Sequence, residues 1–149
     1  MPTLEIASLI ELSIAPVFFL VGIGAILQVL TNRLGRAVDR TRALETELTL
    51  NPKGQAAVLA RGELRMLDRR IIRIHWSISL CTVSALLVCV VIAALFMEEV
   101  VQFDVSPVIA VLFIMAMISL IAALIYFLAE IFVAARMLRV RTELLKSTD

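Results

Sequence analysis

Two carboxylates stand in or beside long apolar runs, where an ionisable group is costly enough to be a functional candidate. On a helix Glu11 shares a stripe with Ser8, Ala15, Gly22, Ala25 and, slightly offset, Gln28 and Asn32, broken midway by Phe18. Small and polar residues in such a stripe suit a pore-lining helix or a tight helix contact. The chemistry in prospect is cation passage with Glu11 as the charged group; a Glu11 merely wetted at a membrane edge fits the same pattern. Glu130 shares a face with Ala116, Ser119, Ala123, Tyr126 and Ala134. Its expected partner is a cation near the inner membrane edge, Arg33, Arg73 or His75, in an intramembrane ion pair. Ion or proton passage is the sharper alternative for it.

The remaining reactive side chains offer little. His75 is the one histidine and adjoins Trp76, a residue type favoured at the membrane interface. Cys81 and Cys89, eight residues apart on one helix, sit about 12 Å apart by helical rise, too far for a disulfide. With Ser77 and Ser84 they read as small packing residues. Hydroxyls at Ser77, Ser79, Thr82 and Ser84 can bond back to helix carbonyls. No nucleophile adjoins a base and no glycine loop could hold phosphate. No metal-ligand cluster emerges, so the expectation is a non-enzyme without metal or cofactor.

The elements that must carry these groups follow from composition. Of 149 residues 61% are hydrophobic and 18% charged, against about 45–50% and 25% for soluble domains. Mean hydropathy is +0.99. This excludes a soluble enzyme, a disulfide-stapled secreted domain and a nucleic-acid binder with a basic face. A bilayer core needs about 20 apolar residues as a helix, and three stretches qualify, at about 8–31, 75–97 and 105–133. The net charge of +1 conceals strong segregation. All fourteen Lys and Arg lie between the first two spans or after the third; the N-terminus and the second loop carry Glu5, Glu11, Glu98, Glu99 and Asp104 instead. The positive-inside rule then puts the N-terminus out and the C-terminus in. Without a basic n-region, the first span reads as an uncleaved helix rather than a signal peptide.

Residues 32–74 read as a cytoplasmic helical hairpin. Leu30, Leu34, Ala37, Thr41, Leu44 and Leu48 alternate steps of four and three, as do Ala57, Ala60, Leu64, Leu67, Ile71 and Ile74 after the turn Asn51-Pro52-Lys53-Gly54. Both are coiled-coil seams running on into membrane spans. Folded antiparallel, they set Leu44 against Ala60 and Ala37 against Leu67, large against small. The expected charge pairs are Arg36 with Asp68, Asp39 with Arg65, Arg42 with Glu63, and Glu45 with Arg61. At the helical rise such a hairpin stands roughly 25 Å into the cytoplasm. Arg69, Arg70 and Arg73 come near the membrane, within reach of anionic head groups.

The chain resembles a known family, the domain of unknown function 2721, over nearly its whole length. The resemblance rests on Ala15-Pro16, Asn32-Arg33 through Asp39-Arg40-Thr41-Arg42, Glu63-Leu64 with Arg69-Arg70, Leu95-Phe96, and Phe127-Leu128-Ala129-Glu130-Ile131. It implies a small bacterial or archaeal membrane protein of three spans and supplies no catalytic residues.

The expected architecture is all-α, an integral membrane protein of one domain over 1–149. It has three transmembrane helices, N-out and C-in, a cytoplasmic antiparallel hairpin between spans one and two, and a cytoplasmic tail over 134–149. The inner (plasma) membrane is the expected location and the lipid bilayer the surrounding. Three helices enclose no pathway alone, so the first functional expectation is a homo-oligomeric cation channel lined by Glu11, Gly22, Ala25, Gln28 and Asn32. The second is a non-conducting scaffold or regulator whose hairpin docks a cytoplasmic protein. No nucleic acid is expected.

Overall fold

A computed structural model describes residues 2–101 and 106–146, with side chains described at 11, 14–97 and 106–132. The loop holding Asp104, the side chains of Glu5, Glu98 and Glu99, and those of the basic segment from 133 onward lie outside the described residues.

All described regular structure is helical: α1 (Pro2–Leu50), α2 (Gln55–Val101) and α3 (Ser106–Lys146). At 49, 47 and 41 residues, each is far longer than the about 20 residues a bilayer requires. All three are long and apolar enough to cross a membrane, within Ile14–Leu50, Gln55–Met97 and Ser106–Phe132. In a lipid interior a helix satisfies its own backbone, and this construction is that of a multi-pass membrane protein. Pro16 stands inside α1 without ending it.

The turn between α1 and α2 follows from its four residues. Asn51 donates its N–H to the Glu47 carbonyl at 2.9 Å, and Pro52, lacking an N–H, cannot continue the helix. Gly54 has φ 122°, in the left-handed region that favours glycine. Its carbonyl accepts from the Val58 N–H at 3.4 Å and so opens α2.

The chain forms two compact units, each with its own core. The first comprises Met1–Val29 and Ile78–Ala123. Beside Ile23, Leu95 and Leu120, its buried residues include small ones on the facing helices: Cys81 and Ser84 on α2, Ala116 and Ala123 on α3. Small side chains let helix backbones approach where lipid supplies no hydrophobic drive between helices. Two hydroxyls cross the α2–α3 contact in opposite directions. Ser84 donates to the Ala116 carbonyl at 2.8 Å and Ser119 to the Leu80 carbonyl at 2.9 Å. Thr82 bonds back within its own helix, to Ile78. Ser84 departs from that expectation because the Ala116 backbone, with only a methyl in the way, is close enough to compete. Cys81 is buried and Cys89 exposed, so only the first packs as expected.

The second unit comprises Leu30–Ser77 and Leu124–Asp149. Here α1 and α2 run back along one another from the turn. Leu30, Ala37 and Leu44 are buried at steps of seven, as are Ala60, Leu67 and Ile74. Leu44, Ala60 and Leu67 form a cluster with Leu48 and Leu64 packed on it. Such a seven-residue rhythm keeps one stripe of each helix turned toward its neighbour. Thr41 and Thr46 turn their hydroxyls to their own helix, bonding Ala37 and Arg42 carbonyls.

Candidate functional site

The charged constellation lies in the second unit, and its geometry follows from one register. Arg40 grips Glu63 with two parallel bonds, Nε to Oε1 at 2.8 Å and Nη2 to Oε2 at 3.0 Å. Both side chains are about half exposed, so the pair contributes about 0.2–1 kcal/mol. Seven residues back along α1 from Arg40 is Arg33; seven residues on along α2 from Glu63 is Arg70. Antiparallel pairing that joins Arg40 to Glu63 therefore sets Arg33 opposite Arg70. Two guanidiniums facing one another repel, and an anion must come from elsewhere.

Glu130 of α3 is that anion. Arg33 donates from Nη1 to Oε2, and Arg70 donates from Nε to Oε1 at 2.5 Å. Each carboxylate oxygen thus has its own arginine. The Glu130 side chain is 1% exposed, against 26% for Arg33 and 37% for Arg70. A buried carboxylate costs several kcal/mol in lost hydration, and here two charge-assisted bonds offset the loss. The Arg33 guanidinium also lies 5.3 Å from the centre of the Phe127 ring, within cation–π range. On α3 the buried positions Ala116, Ala123 and Glu130 are seven apart, so Glu130 occupies a core position.

His75 is exposed, and the place given to it in the Glu130 ion pair is taken by Arg70. Arg73, the other candidate, keeps a buried Nε with no hydrogen-bond partner among the described residues. Glu63 gives both oxygens to Arg40, two residues from the expected Arg42. Arg36, Asp39, Arg42, Arg65 and Asp68, like Glu45 and Arg61, are exposed; long solvated side chains lose entropy on pairing and gain little from it. Arg40 belongs to none of the expected charge pairs, and Arg70 was expected to meet head groups rather than Glu130. Their signal was the seven-residue interval itself, shared by Arg33 with Arg40 and by Glu63 with Arg70.

The stripe of Glu11, Gly22, Ala25, Gln28 and Asn32 lies entirely on exposed positions of α1. Added methyl groups at Gly22 and Gly24 would meet nothing within 4 Å. Glu11, Gly22, Ala25 and Gln28 are exposed within the first unit and Asn32 within the second.

Comparison with curated proteins and with solved structures finds no match. Comparison with protein families matches residues 13–140 to the family described as protein of unknown function (DUF2721). That match spans both units, the turn, and every member of the Arg33–Arg70–Glu130 constellation. The chain belongs to the DUF2721 family.

Proposed function

We propose that this DUF2721 protein is a non-enzymatic scaffold or regulator of the inner (plasma) membrane, acting through its helical hairpin in the cytoplasm. One observation carries the reading: large apolar side chains on both sides of the hairpin's polar turn are bare. Leu50, Val58 and Leu59, within about one turn of helix from the Asn51–Gly54 turn, are 75%, 66% and 71% exposed. Met66, seven residues beyond Leu59, extends the strip. Large apolar side chains left bare on an otherwise charged helix pair suit an interaction surface. Between residues 32 and 74 ten basic residues outnumber five acidic ones. The partner that fits is a protein with an apolar face ringed by acids. The triad of Arg33, Arg70 and Glu130 then serves as a rivet, tying the base of the hairpin to α3.

A photo-reactive residue at Leu59, with one at exposed Glu47 as control, tests this in intact cells. A discrete adduct with an acidic protein at Leu59, lost on Val58→Asp, is the expected result. Adducts only between two copies of the chain, or the same adducts from both positions, would overturn it.

A second reading has its own observation. The stripe of Glu11, Gly22, Ala25, Gln28 and Asn32 is turned outward, so self-association of several copies would bring it around a common axis. Acids alone on the outer side would concentrate cations there. Cation flux into liposomes holding the purified protein, falling in Glu11→Gln, supports a homo-oligomeric channel; no flux from folded, inserted protein removes it.

A further inference from the structure

We propose that the second unit carries a phosphate-binding site, in a cleft of about 360 Å3 between α1 and α2 lined by Arg33, Arg36, Arg40, Arg70 and Glu63. The volume lies at the lower end of the range for small-molecule sites, about 300–1,000 Å3. Four guanidiniums meet at this cleft, and only two carboxylates, Glu63 and Glu130, bond to any of them. The surplus is positive, and the unmet charge calls for an anion.

The carboxylates also fix the shape of the site. Glu63 holds Arg40 bidentately, and Glu130 holds Arg33 and Arg70 by one bond each. A guanidinium has five N–H donors, so Arg33 and Arg70 keep most of theirs for another acceptor. Arg36 makes no ion pair or hydrogen bond among the described residues. It lines the cleft one helical turn from both Arg33 and Arg40. Fixed guanidinium forks match the oxygens of a tetrahedral phosphate far better than flexible ammonium groups do. Ala37 and Leu67, the other lining residues, contribute no competing polar group.

Phosphate could arrive in two ways. Basic pockets between helices at a membrane edge take anionic lipid head groups, and a small phosphorylated solute presents the same oxygens. The full-length protein in phosphatidylcholine nanodiscs separates them. One arm adds phosphatidylglycerol and measures the lipid retained by native mass spectrometry. The other titrates inorganic phosphate by calorimetry. Variants are Arg36→Gln, Arg36→Lys in case the first does not fold, and Lys53→Gln at the distant turn as a control for general surface charge. Binding in at least one arm is expected. It should weaken roughly tenfold in Arg36→Gln, as loss of a charge-assisted contact implies, less in Arg36→Lys, and not at all in Lys53→Gln. Retained lipid identifies a head-group site, and phosphate binding without lipid retention identifies a solute site. No binding in either arm, or equal weakening in the Arg36 and Lys53 variants, overturns the proposal.

Discussion

Arg70 and Glu130 are sixty residues apart in sequence and meet at 2.5 Å, on a carboxylate that Arg33 shares from the opposite side. One acid answers two bases because the register of the hairpin opposes those bases. A third helix must then come within reach, so a local pairing rule in α1 and α2 determines what α3 carries at position 130.

Removing that charge should therefore unsettle more than one contact. Glu130→Gln leaves two guanidiniums facing each other with a neutral amide between them. The loss for a broken buried pair is about 3–5 kcal/mol, and partial exposure of both arginines lowers it to roughly 2–4 kcal/mol. Thermal unfolding of the purified protein in detergent reads this directly, and an unchanged melting temperature would refute the structural role of the triad.

The same register predicts a contrast. Arg40→Ala breaks a pair of matching geometry on the exposed flank, where such bonds are worth about 0.2–1 kcal/mol. Arg70→Ala removes one of the two partners of a carboxylate that is 1% exposed. The Arg70 variant should melt clearly below the Arg40 variant, and the order should persist at high salt because screening acts mainly on exposed charges. Equal melting would mean that burial does not separate the two pairs.

Within the first unit, the reciprocal bonds of Ser84 and Ser119 set a small scale. Each of Ser84→Ala and Ser119→Ala should cost about 0.6 kcal/mol, the average for such bonds between membrane helices. Ser84→Leu is a different matter: the side chain is 0% exposed and the opposing backbone lies at hydrogen-bond distance. Overpacking there should cost roughly 1–3 kcal/mol. A Leu variant as stable as the Ala variant would show that α2 and α3 can part without penalty.

The helices were legible because their signals are long and redundant: apolar runs for the membrane-crossing stretches, a seven-residue rhythm for the hairpin, Pro52 and Gly54 for the turn. Leu44 and Ala60 come together as the seam spacing implies. The charges were harder. Seam residues fix which faces meet but not which long flanking side chain reaches across, and that decides whether Glu63 bonds Arg42 or, two residues away, Arg40. Glu130 was visible as an acid beside apolar neighbours, with Arg33 among its candidate partners, yet Arg70 went unassigned to it because basic residues near a membrane edge have lipid as an equally good partner. Outward-facing positions such as Gly22 and Gln28 carry the same sequence signal whether they meet lipid or another copy.

Alanine at glycine should change sign along the hairpin. At Gly54 an added Cβ has open space, so only the backbone resists; holding φ near 122° with a side chain should cost about 1–2 kcal/mol. Gly62 lies inside α2, also with open space around it. There Ala should stabilise by about 0.5–1 kcal/mol. Chemical unfolding of Gly54→Ala and Gly62→Ala should shift in opposite directions, and a common direction would contradict the turn geometry.

The cytoplasmic orientation proposed for the hairpin rests on charge and has a direct test. Ten basic residues between the first two spans, and none in the loop between the second and third, favour the cytoplasm for the turn. In a background with Cys81 and Cys89 replaced by Ala, a single Cys at Lys53 reports the turn. A single Cys at Gln102, between α2 and α3 in sequence, reports the other end. A membrane-impermeant maleimide applied to intact cells should label Gln102→Cys at once and Lys53→Cys only after permeabilisation. Labelling of Lys53→Cys in intact cells would place the turn outside, and a cytoplasmic partner for Leu50, Val58 and Leu59 would then be impossible.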